Sequence, residues 1–160
     1  KENRCRLILC ADKYMRDFLG GTVGRSIFLH LTVGDDILQA IKDVCTRNNI
    51  QTGIVTSGIG SMRKINYHYI LTTTDKPKDK FEVVNKPMEL VSLQGVILEG
   101  DPHLHMLATE SGHNTYAGHM EIGCEVQYLV EISILEILDA PIGRRAGKYA
   151  TVTEFEWIEA

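Results

Sequence analysis

Four of the six histidines in the chain lie between residues 101 and 120, in the segment DPHLHMLATESGHNTYAGHM. His103 and His105 are separated by one residue, so in a β-strand both side chains point to the same face, about 7 Å apart. Neutral imidazole is a common protein ligand for zinc and other first-row transition metals. A histidine pair at this spacing therefore indicates a metal site, provided that the fold brings a third ligand to the same face.

His119 is the candidate for that third ligand. The segments HLHMLAT and TYAGHMEI flank the turn sequence ESGHN, which predicts a β-hairpin centred on Gly112. In that register His105 lies directly across from His119, with Cβ atoms about 4.5–5.5 Å apart. His103 is then opposite Glu121. A shift of one residue would send His119 to the other face of the sheet, so the predicted ligand set depends on this register.

The chemistry of such a cluster depends on how many ligands reach the metal. Three protein ligands leave an open position at zinc, where the pKa of a bound water can fall to about 7. Glu121 is then the candidate general base of a hydrolytic site, or a fourth ligand that closes the site and makes it structural. A solvated strand face without metal is the third alternative. Ordinary structural roles are predicted for His30 and His68, and His113 is predicted to be solvated in the turn.

One helix and several strands are predicted around this hairpin. RSIFLHLTV (25–33) alternates as a half-buried strand does, and DDILQAIKDVCTRNNI (35–50) has the apolar spacing of an amphipathic helix with Asp35 as N-cap. Further strands are predicted over 51–61, 63–71, 81–84, 88–98, 103–109, 115–122 and 124–138. This order predicts an α+β fold: a mixed or antiparallel β-sheet with one main amphipathic helix packed on it, in a single domain. Near the end of the strand predicted over 51–61, Gly58 and Gly60 predict a tight turn or a close approach to a neighbour.

The composition is that of an ordinary globular protein. The chain has 160 residues, of which 44% are hydrophobic and 24% are charged, and a formal net charge of −4. That charge disfavours a surface that neutralises many phosphates. The four cysteines form no Cys-x-x-Cys pair, and no run approaches the roughly 20 apolar residues of a membrane span. With no signal-peptide pattern, these features predict a cytoplasmic protein without a membrane partner.

Six short motifs occur in an order that resembles the plants-and-prokaryotes conserved (PPC) domain family. They are GDDI, TSGIGS, LVSLQGVI, PHLHM, AGHM and YLVEI, and together they lie within residues 25–138. Pro-His-x-His followed by Gly-His is the most specific part of the set. The family includes free-standing prokaryotic proteins and a domain attached to AT-hooks in plant nuclear proteins.

The resemblance implies a homotrimer and, in some prokaryotic members, a metal bound through these histidines. Matched motif by motif, the ligands are His103, His105 and His119, the same three that the hairpin register selects. Zinc is the expected divalent metal because imidazole suits it. Arg25 and Glu131 match charged positions of the family. Since Glu131 lies in an apolar run, it must pair or face water, and Arg25 is its predicted partner.

The motifs also divide the chain into a domain and two flanking segments. Residues 25–138 form the predicted PPC-like domain, 1–24 an N-terminal extension, and 139–160 a C-terminal tail that could add an edge strand. One departure from the family is Ala117, where Gly-Gly-His is usual. The Arg-Gly-Arg-Pro core of an AT-hook is missing, and the nearest stretch is PIGRRAGK.

Three functions follow from these features. The first is a homotrimeric, metal-binding PPC-domain protein with a three-histidine zinc site and an unknown small-molecule or protein partner. The second is a metal-dependent hydrolase that uses a metal-bound water. The third is a DNA-binding or transcription-associated protein, which only the family resemblance implies.

Overall fold

The structure is a computed structural model, which describes residues 4–10, 13–74, 76–111, 113–147 and 152–158. Ten strands and one helix occur in these ranges, and every strand pairing is antiparallel. The predicted α+β class with a single helix in a single small domain is thus confirmed. The elements are β1 (Arg4–Cys10), β2 (Lys13–Leu19), β3 (Thr22–Thr32), α1 (Ile37–Asn48), β4 (Thr52–Ile70), β5 (Asp79–Leu98), β6 (Asp101–Glu110), β7 (Asn114–Met120), β8 (Glu125–Leu138), β9 (Ile142–Ala146) and β10 (Thr153–Trp157).

Six of the strands form the main sheet, in the order β3-β8-β4-β5-β6-β7. Strand β7 pairs a second time, with the far end of β4, where Tyr67 lies opposite Met120 and His68 lies opposite His119. Strands β4, β5, β6 and β7 therefore close into a ring. This closure matters for the site, because it brings residues of β4 beside residues of β7 that are distant in sequence.

Helix α1 covers one face of the sheet. Asp36 is its N-cap and accepts a hydrogen bond from the backbone N–H of Gln39 at 2.9 Å. The predicted N-cap, Asp35, is one residue too early. Its carboxylate instead accepts a hydrogen bond from the N–H of Thr32 at 2.7 Å. The helix ends at Asn49, which adopts the left-handed conformation. Its buried residues are the predicted stripe Ile37, Leu38, Ile41, Val44 and Cys45.

The core lies between α1 and the inner face of the sheet. Burial of a large aliphatic side chain contributes about 1.5–3 kcal/mol, so this layer supplies most of the stabilising free energy of the domain. Its largest fully buried side chains are Ile37, Ile41, Ile50, Val55, Met62, Ile65, Leu90, Leu93, Ile97, Leu104, Met120 and Ile134.

Gly58 and Gly60 form no tight turn, because β4 runs without interruption from Thr52 to Ile70. Each glycine instead lies where a neighbour approaches closely. A Cβ atom on Gly60 would be 2.2 Å from the carbonyl oxygen of Leu129, and one on Gly58 would be 2.7 Å from Cβ of Leu93. The pairing of β4 with β8 also shifts register on either side of this segment. A close neighbour, rather than a turn, thus accounts for the space that each glycine leaves.

Arg25 pairs with Glu136 and not with Glu131. Its guanidinium makes two hydrogen bonds of 2.7 Å to the buried carboxylate of Glu136, which holds the pKa of that carboxyl below its ordinary value. The register of β3 and β8 explains the difference, since it places Glu131 opposite His30, five positions from Arg25. Glu131 is exposed, and its carboxylate lies 3.9 Å from Nδ1 of His30.

Two small hairpins lie outside the main sheet, β1 with β2 and β9 with β10. Phe18 of β2 packs against Phe155 and Trp157 of β10, with ring centroids 6.2 and 5.6 Å apart. The C-terminal strand β10 pairs with β9 rather than with the edge of the main sheet. The division of the chain at residues 25 and 138 stays a prediction.

None of the helices among the described residues has the length and apolar character needed to cross a membrane.

Candidate metal centre

The hairpin of β6 and β7 has the predicted register. His105 lies opposite His119, and the pairs continue to Glu110 opposite Asn114 beside the turn. Along β6, alternate side chains enter the core, so His103 and His105 both point to the outer face of the sheet, as the period of two predicts. The buried alternates that fix this orientation are Pro102, Leu104, Met106 and Ala108.

The three predicted ligands lie close enough together to share one ion. One ligand nitrogen from each of His103, His105 and His119 lies within 4.8 Å of the other two. The Nε2 atoms of His103 and His105 are 3.3 Å apart. Around a tetrahedral zinc ion with Zn–N bonds of about 2.0–2.1 Å, two ligand nitrogens are about 3.4 Å apart. Small ring rotations would therefore bring the third nitrogen into place.

The electrostatic environment favours the neutral form of two of these imidazoles, those of His103 and His119. Desolvation, together with the neighbouring His103 and His68, lowers the pKa of His119 to about 4. The pKa of His103 is lowered for the same reason and by the guanidinium of Arg144. A metal binds only the neutral imidazole, so His103 and His119 can bind a divalent cation at neutral pH without first having to lose a proton.

Glu121 does not lie opposite His103. Strand β7 leaves β6 after His119, and His103 pairs with Val96 of β5 instead. Beyond the end of β7, the N–H of Glu121 donates to the carbonyl of Asn66 at 2.9 Å. The ring closure between β7 and β4 is the physical reason, because it pulls the chain away from β6 at this point.

His68 belongs to the cluster, although the sequence predicted only an ordinary structural role for it. Its ring stacks on His119, with centroids 4.3 Å apart and planes at 21°. Its Nδ1 is 2.7 Å from a carboxylate oxygen of Glu121. His68, His119 and Glu121 form a second group whose ligand atoms lie within 4.8 Å of one another. No local pattern signals this, since His68 comes from β4 and meets β7 only through a long-range pairing.

The remaining histidines lie apart from the cluster. His30 is exposed on β3 beside Glu131. His113 is exposed in the hairpin turn, where its N–H donates to the carbonyl of Glu110 at 2.8 Å. Both positions agree with the roles predicted from the sequence, and both histidines are suitable control sites for experiments on the cluster.

Glu110 fixes the turn end of the hairpin that carries His105 and His119. Its carboxylate accepts hydrogen bonds from Lys86 at 3.0 Å, Asn114 at 3.1 Å and the hydroxyl of Tyr116 at 2.8 Å. These bonds, led by that from Lys86, lower the pKa of Glu110 to about 2. The network therefore stabilises the hairpin only while the carboxylate is ionised.

We expect Glu110 to make part of the stability depend on pH. Because its pKa in the folded protein lies below the ordinary value of 4.5, its contribution is present above that value and is lost as the pH falls toward 2. Glu110→Gln should lower the melting temperature at pH 7 and flatten its dependence on pH in acid. Thermal melts followed by circular dichroism would measure both. An unchanged slope in the variant would contradict the prediction.

The fold and the site together define a class of protein: a small, strand-rich domain with one helix and a histidine cluster on the outer face of its sheet. The chain belongs to the Plants and Prokaryotes Conserved (PCC, also written PPC) domain family, whose sequence profile matches residues 19–138. The predicted family is thus confirmed.

Solved structures share this fold over most of their length. A plant- and prokaryote-conserved protein from Pyrococcus horikoshii is 25% identical, with a TM-score of 0.73 over 88% of this chain and 97% of that one. A metal-containing protein from Archaeoglobus fulgidus is 24% identical, with a TM-score of 0.72 and the same coverage. A candidate DNA-binding protein from Bacteroides thetaiotaomicron is 17% identical, with a TM-score of 0.69 over 86% and 97% of the two chains.

Among curated proteins, the chain is similar to the bifunctional protein GlmU of Synechococcus sp. (strain JA-3-3Ab). The two are 25% identical over 117 residues, which make up 73% of this chain. The matched segment spans only 18% of the length of that relative.

Proposed function

We propose that this chain is a metal-binding PPC-domain protein that holds one divalent cation, zinc, between His103, His105 and His119. The observation that carries the proposal is the approach of three ligand nitrogens to within 4.8 Å of one another on one face of a hairpin. The lowered pKa values of His103 and His119 support it, because both rings are neutral at pH 7. The Archaeoglobus relative, a metal-containing protein, supports it at the level of the fold.

Three imidazoles would leave one position of a tetrahedral zinc ion free for an outside ligand, and zinc bound in this way supplies a Lewis acid. His103 and His105 are exposed, whereas His119 is half-buried, so a ligand would approach from the side of β6. We propose that this ligand is a small molecule or a side chain of a partner protein. We also propose that the protein is located in the cytoplasm.

Elemental analysis tests the metal site directly. Protein purified without an affinity tag and given Zn²⁺ should retain at least about one ion per chain after dialysis, as a three-ligand site of this kind does. With Co²⁺ as the probe, tetrahedral coordination should give strong visible absorption. Less than about a tenth of an ion per chain, unchanged on addition of zinc, would refute the site. His113→Ala should match the unmodified protein, because His113 lies outside the cluster.

Hydrolysis by a metal-bound water, with Glu121 as the general base, is the alternative function. The observation that favours it is the distance of 3.9 Å between a carboxylate oxygen of Glu121 and Nε2 of His119. A carboxylate at that distance could take a proton from a water bound beside His119. Zinc-loaded protein should then hydrolyse an activated ester faster than its Glu121→Gln variant does. Equal rates would exclude the role of Glu121 as a base.

DNA binding is the weaker alternative. The Bacteroides relative supports it only through the shared fold, and the net charge of −4 counts against it. The two arginines of the basic stretch PIGRRAGK are also engaged within the chain. Arg144 donates to the carbonyls of Asp101 and Val96, and Arg145 pairs with Glu99 at 2.7 Å. No measurable binding to a DNA duplex at low salt would exclude this function.

We further propose that the protein is a homotrimer in which the outer face of the main sheet contributes to the subunit interface. Phe28 on β3 is 80% exposed, and Ile59 on β4 and Leu129 on β8 are 50% and 41% exposed. The register places Phe28 and Ile59 on neighbouring parts of one face. A contiguous exposed apolar patch is typical of a protein–protein interface.

Phe28→Glu should convert the trimer into monomers, because it places a charge at the centre of the proposed interface. Since Phe28 is exposed in the single chain, the fold should persist, which circular dichroism would verify. Light scattering coupled to size-exclusion chromatography gives the mass in solution. Leu71→Glu, at an exposed apolar residue in the loop after β4, is the matched control and should remain trimeric. An unmodified protein that is monomeric would refute the assembly.

A further inference from the structure

We infer that His68, His119 and Glu121 form a second cation position, which overlaps the three-histidine position at His119. The two ring nitrogens and the carboxylate oxygen lie within 4.8 Å of one another. The inference goes beyond the proposed function, since two of its three ligands come from outside the three-histidine set. It shares His119 with that set, so the experiment below separates the failure of one site from the failure of the other.

The distances within the group suit a small divalent ion. Nδ1 of His68 is 2.7 Å from Oε1 of Glu121, and the same oxygen is 3.9 Å from Nε2 of His119. Ligand bonds to zinc of about 2.0–2.2 Å place neighbouring ligand atoms about 3–3.5 Å apart. The distance from Glu121 to His68 is shorter than this range, and the distance from Glu121 to His119 is longer. Side-chain rotations that move the ligand atoms by a few tenths of an ångström would therefore admit an ion in place of the hydrogen bond between His68 and Glu121.

Backbone pairing holds all three ligands in place. His68 and His119 are directly opposite each other in the pairing of β4 with β7. Glu121 follows two residues later, and its N–H is bonded to the carbonyl of Asn66 on β4. A site whose ligands are carried by paired strands needs little reorganisation to bind an ion.

The second position is more enclosed than the first. The exposed fractions of its side chains are 20% for His68, 27% for His119 and 31% for Glu121, whereas His103 and His105 are exposed. The centroid of the Phe81 ring lies 4.8 Å from that of the His68 ring, so an apolar side chain borders this position. Partial exclusion of water strengthens the attraction between a cation and a carboxylate.

The ligand chemistry of the two positions also differs. Three imidazoles are all neutral nitrogen donors, but the second set replaces one of them with a carboxylate, which offsets part of the charge of a divalent ion. Two histidines and one carboxylate form an established zinc-ligand set and also suit harder first-row ions. We therefore expect the second position to bind Zn²⁺ even when the first has been removed.

The experiment removes the first position and leaves the second intact. In the double variant His103→Ala/His105→Ala, isothermal titration with Zn²⁺ should give about one ion per chain, because three protein ligands remain. Adding His68→Ala should weaken this binding at least about tenfold, by the loss of one of three ligands. Adding His30→Ala instead is the matched control and should leave the binding unchanged, since His30 lies on β3 beside Glu131.

Each outcome decides one of the two sites. If the double variant is folded by circular dichroism but binds no Zn²⁺, the second position is refuted while the three-histidine site stands. If it binds Zn²⁺ as tightly as the unmodified chain does, the three-histidine site is refuted instead. Binding that survives the further His68→Ala change also refutes the second position. Should His68→Ala unfold the protein, Glu121→Gln in the same background provides the test, because an amide keeps the shape but is a poor ligand.

Discussion

Replacing His119 with alanine should weaken zinc binding about 100- to 1000-fold, more than any other single histidine replacement. A four-ligand zinc site in a small domain contributes about 10–16 kcal/mol, so one ligand accounts for about 2.5–4 kcal/mol. Among the residues that the structure describes, His119 alone belongs to both ligand groups. Its loss leaves two ligands in each, whereas the loss of His103 or His105 leaves the group of His68, His119 and Glu121 complete.

A competition titration with a chromophoric zinc chelator would measure this loss. The control is His113→Ala, which removes an exposed imidazole from the same hairpin outside the cluster. Melting curves of the metal-free variants should be similar, because His119 is only half-buried. If His119→Ala binds zinc within about threefold of the His113→Ala control, His119 is no ligand, and both proposed positions are wrong.

The part of this site that the sequence could predict is the part that depends on local geometry. The short connection between β6 and β7 fixes their register, and the period of two in a strand then fixes which side chains share a face. These two rules suffice to place His105 opposite His119 and to turn His103 toward the same side. Neither rule needs information from another part of the chain.

The part that the sequence could not predict depends on pairings between distant strands. Glu121 was expected opposite His103, because extending the hairpin by two residues puts it there. The hairpin is cut short by the pairing of β7 with β4, which brings Glu121 to His68 instead. No pattern within either strand predicts a pairing between residues about fifty positions apart. The sequence therefore could not identify His119 and Glu121 as the neighbours of His68.

The same limit explains the misassigned ion pair. Arg25 and Glu131 lie on strands that are indeed neighbours, but the register of β3 and β8 places Ser26 opposite Leu135 and His30 opposite Glu131. Glu136 follows Leu135 directly, so it is the acidic residue of β8 that lies beside Arg25. The sequence predicted that Arg25 pairs with an acidic residue across the sheet, and in the structure that residue is Glu136.

Gly58 and Gly60 show a different ambiguity. A glycine allows a turn because it tolerates unusual backbone angles, and it allows a close approach because it has no Cβ atom. The sequence signal is the same in both cases. Only the positions of the neighbouring chains, at Leu93 and Leu129, distinguish a continuous strand from a turn.

Gly118→Ala should destabilise the protein by about 1–3 kcal/mol, the cost that is typical of forcing an extra methyl group into a packed site. A Cβ atom at this position would lie 2.4 Å from the carbonyl oxygen of His68 and 3.1 Å from a ring carbon of Tyr67. The carbonyl belongs to the backbone of β4, which cannot rotate away as a side chain can. Strands β7 and β4 must therefore separate locally at the point where His68 faces His119.

The same change should also weaken zinc binding at least about tenfold, because His119 follows Gly118 directly and moves with it, as positioning residues of metal sites do. Urea denaturation of the metal-free protein and a zinc titration would give the two quantities separately. Ala117→Val is the matched control, since it adds bulk at the neighbouring, exposed position of the same strand. If Gly118→Ala is as stable as that control and binds zinc equally well, β7 does not approach β4 closely, and the grouping of His68 with His119 is refuted with it.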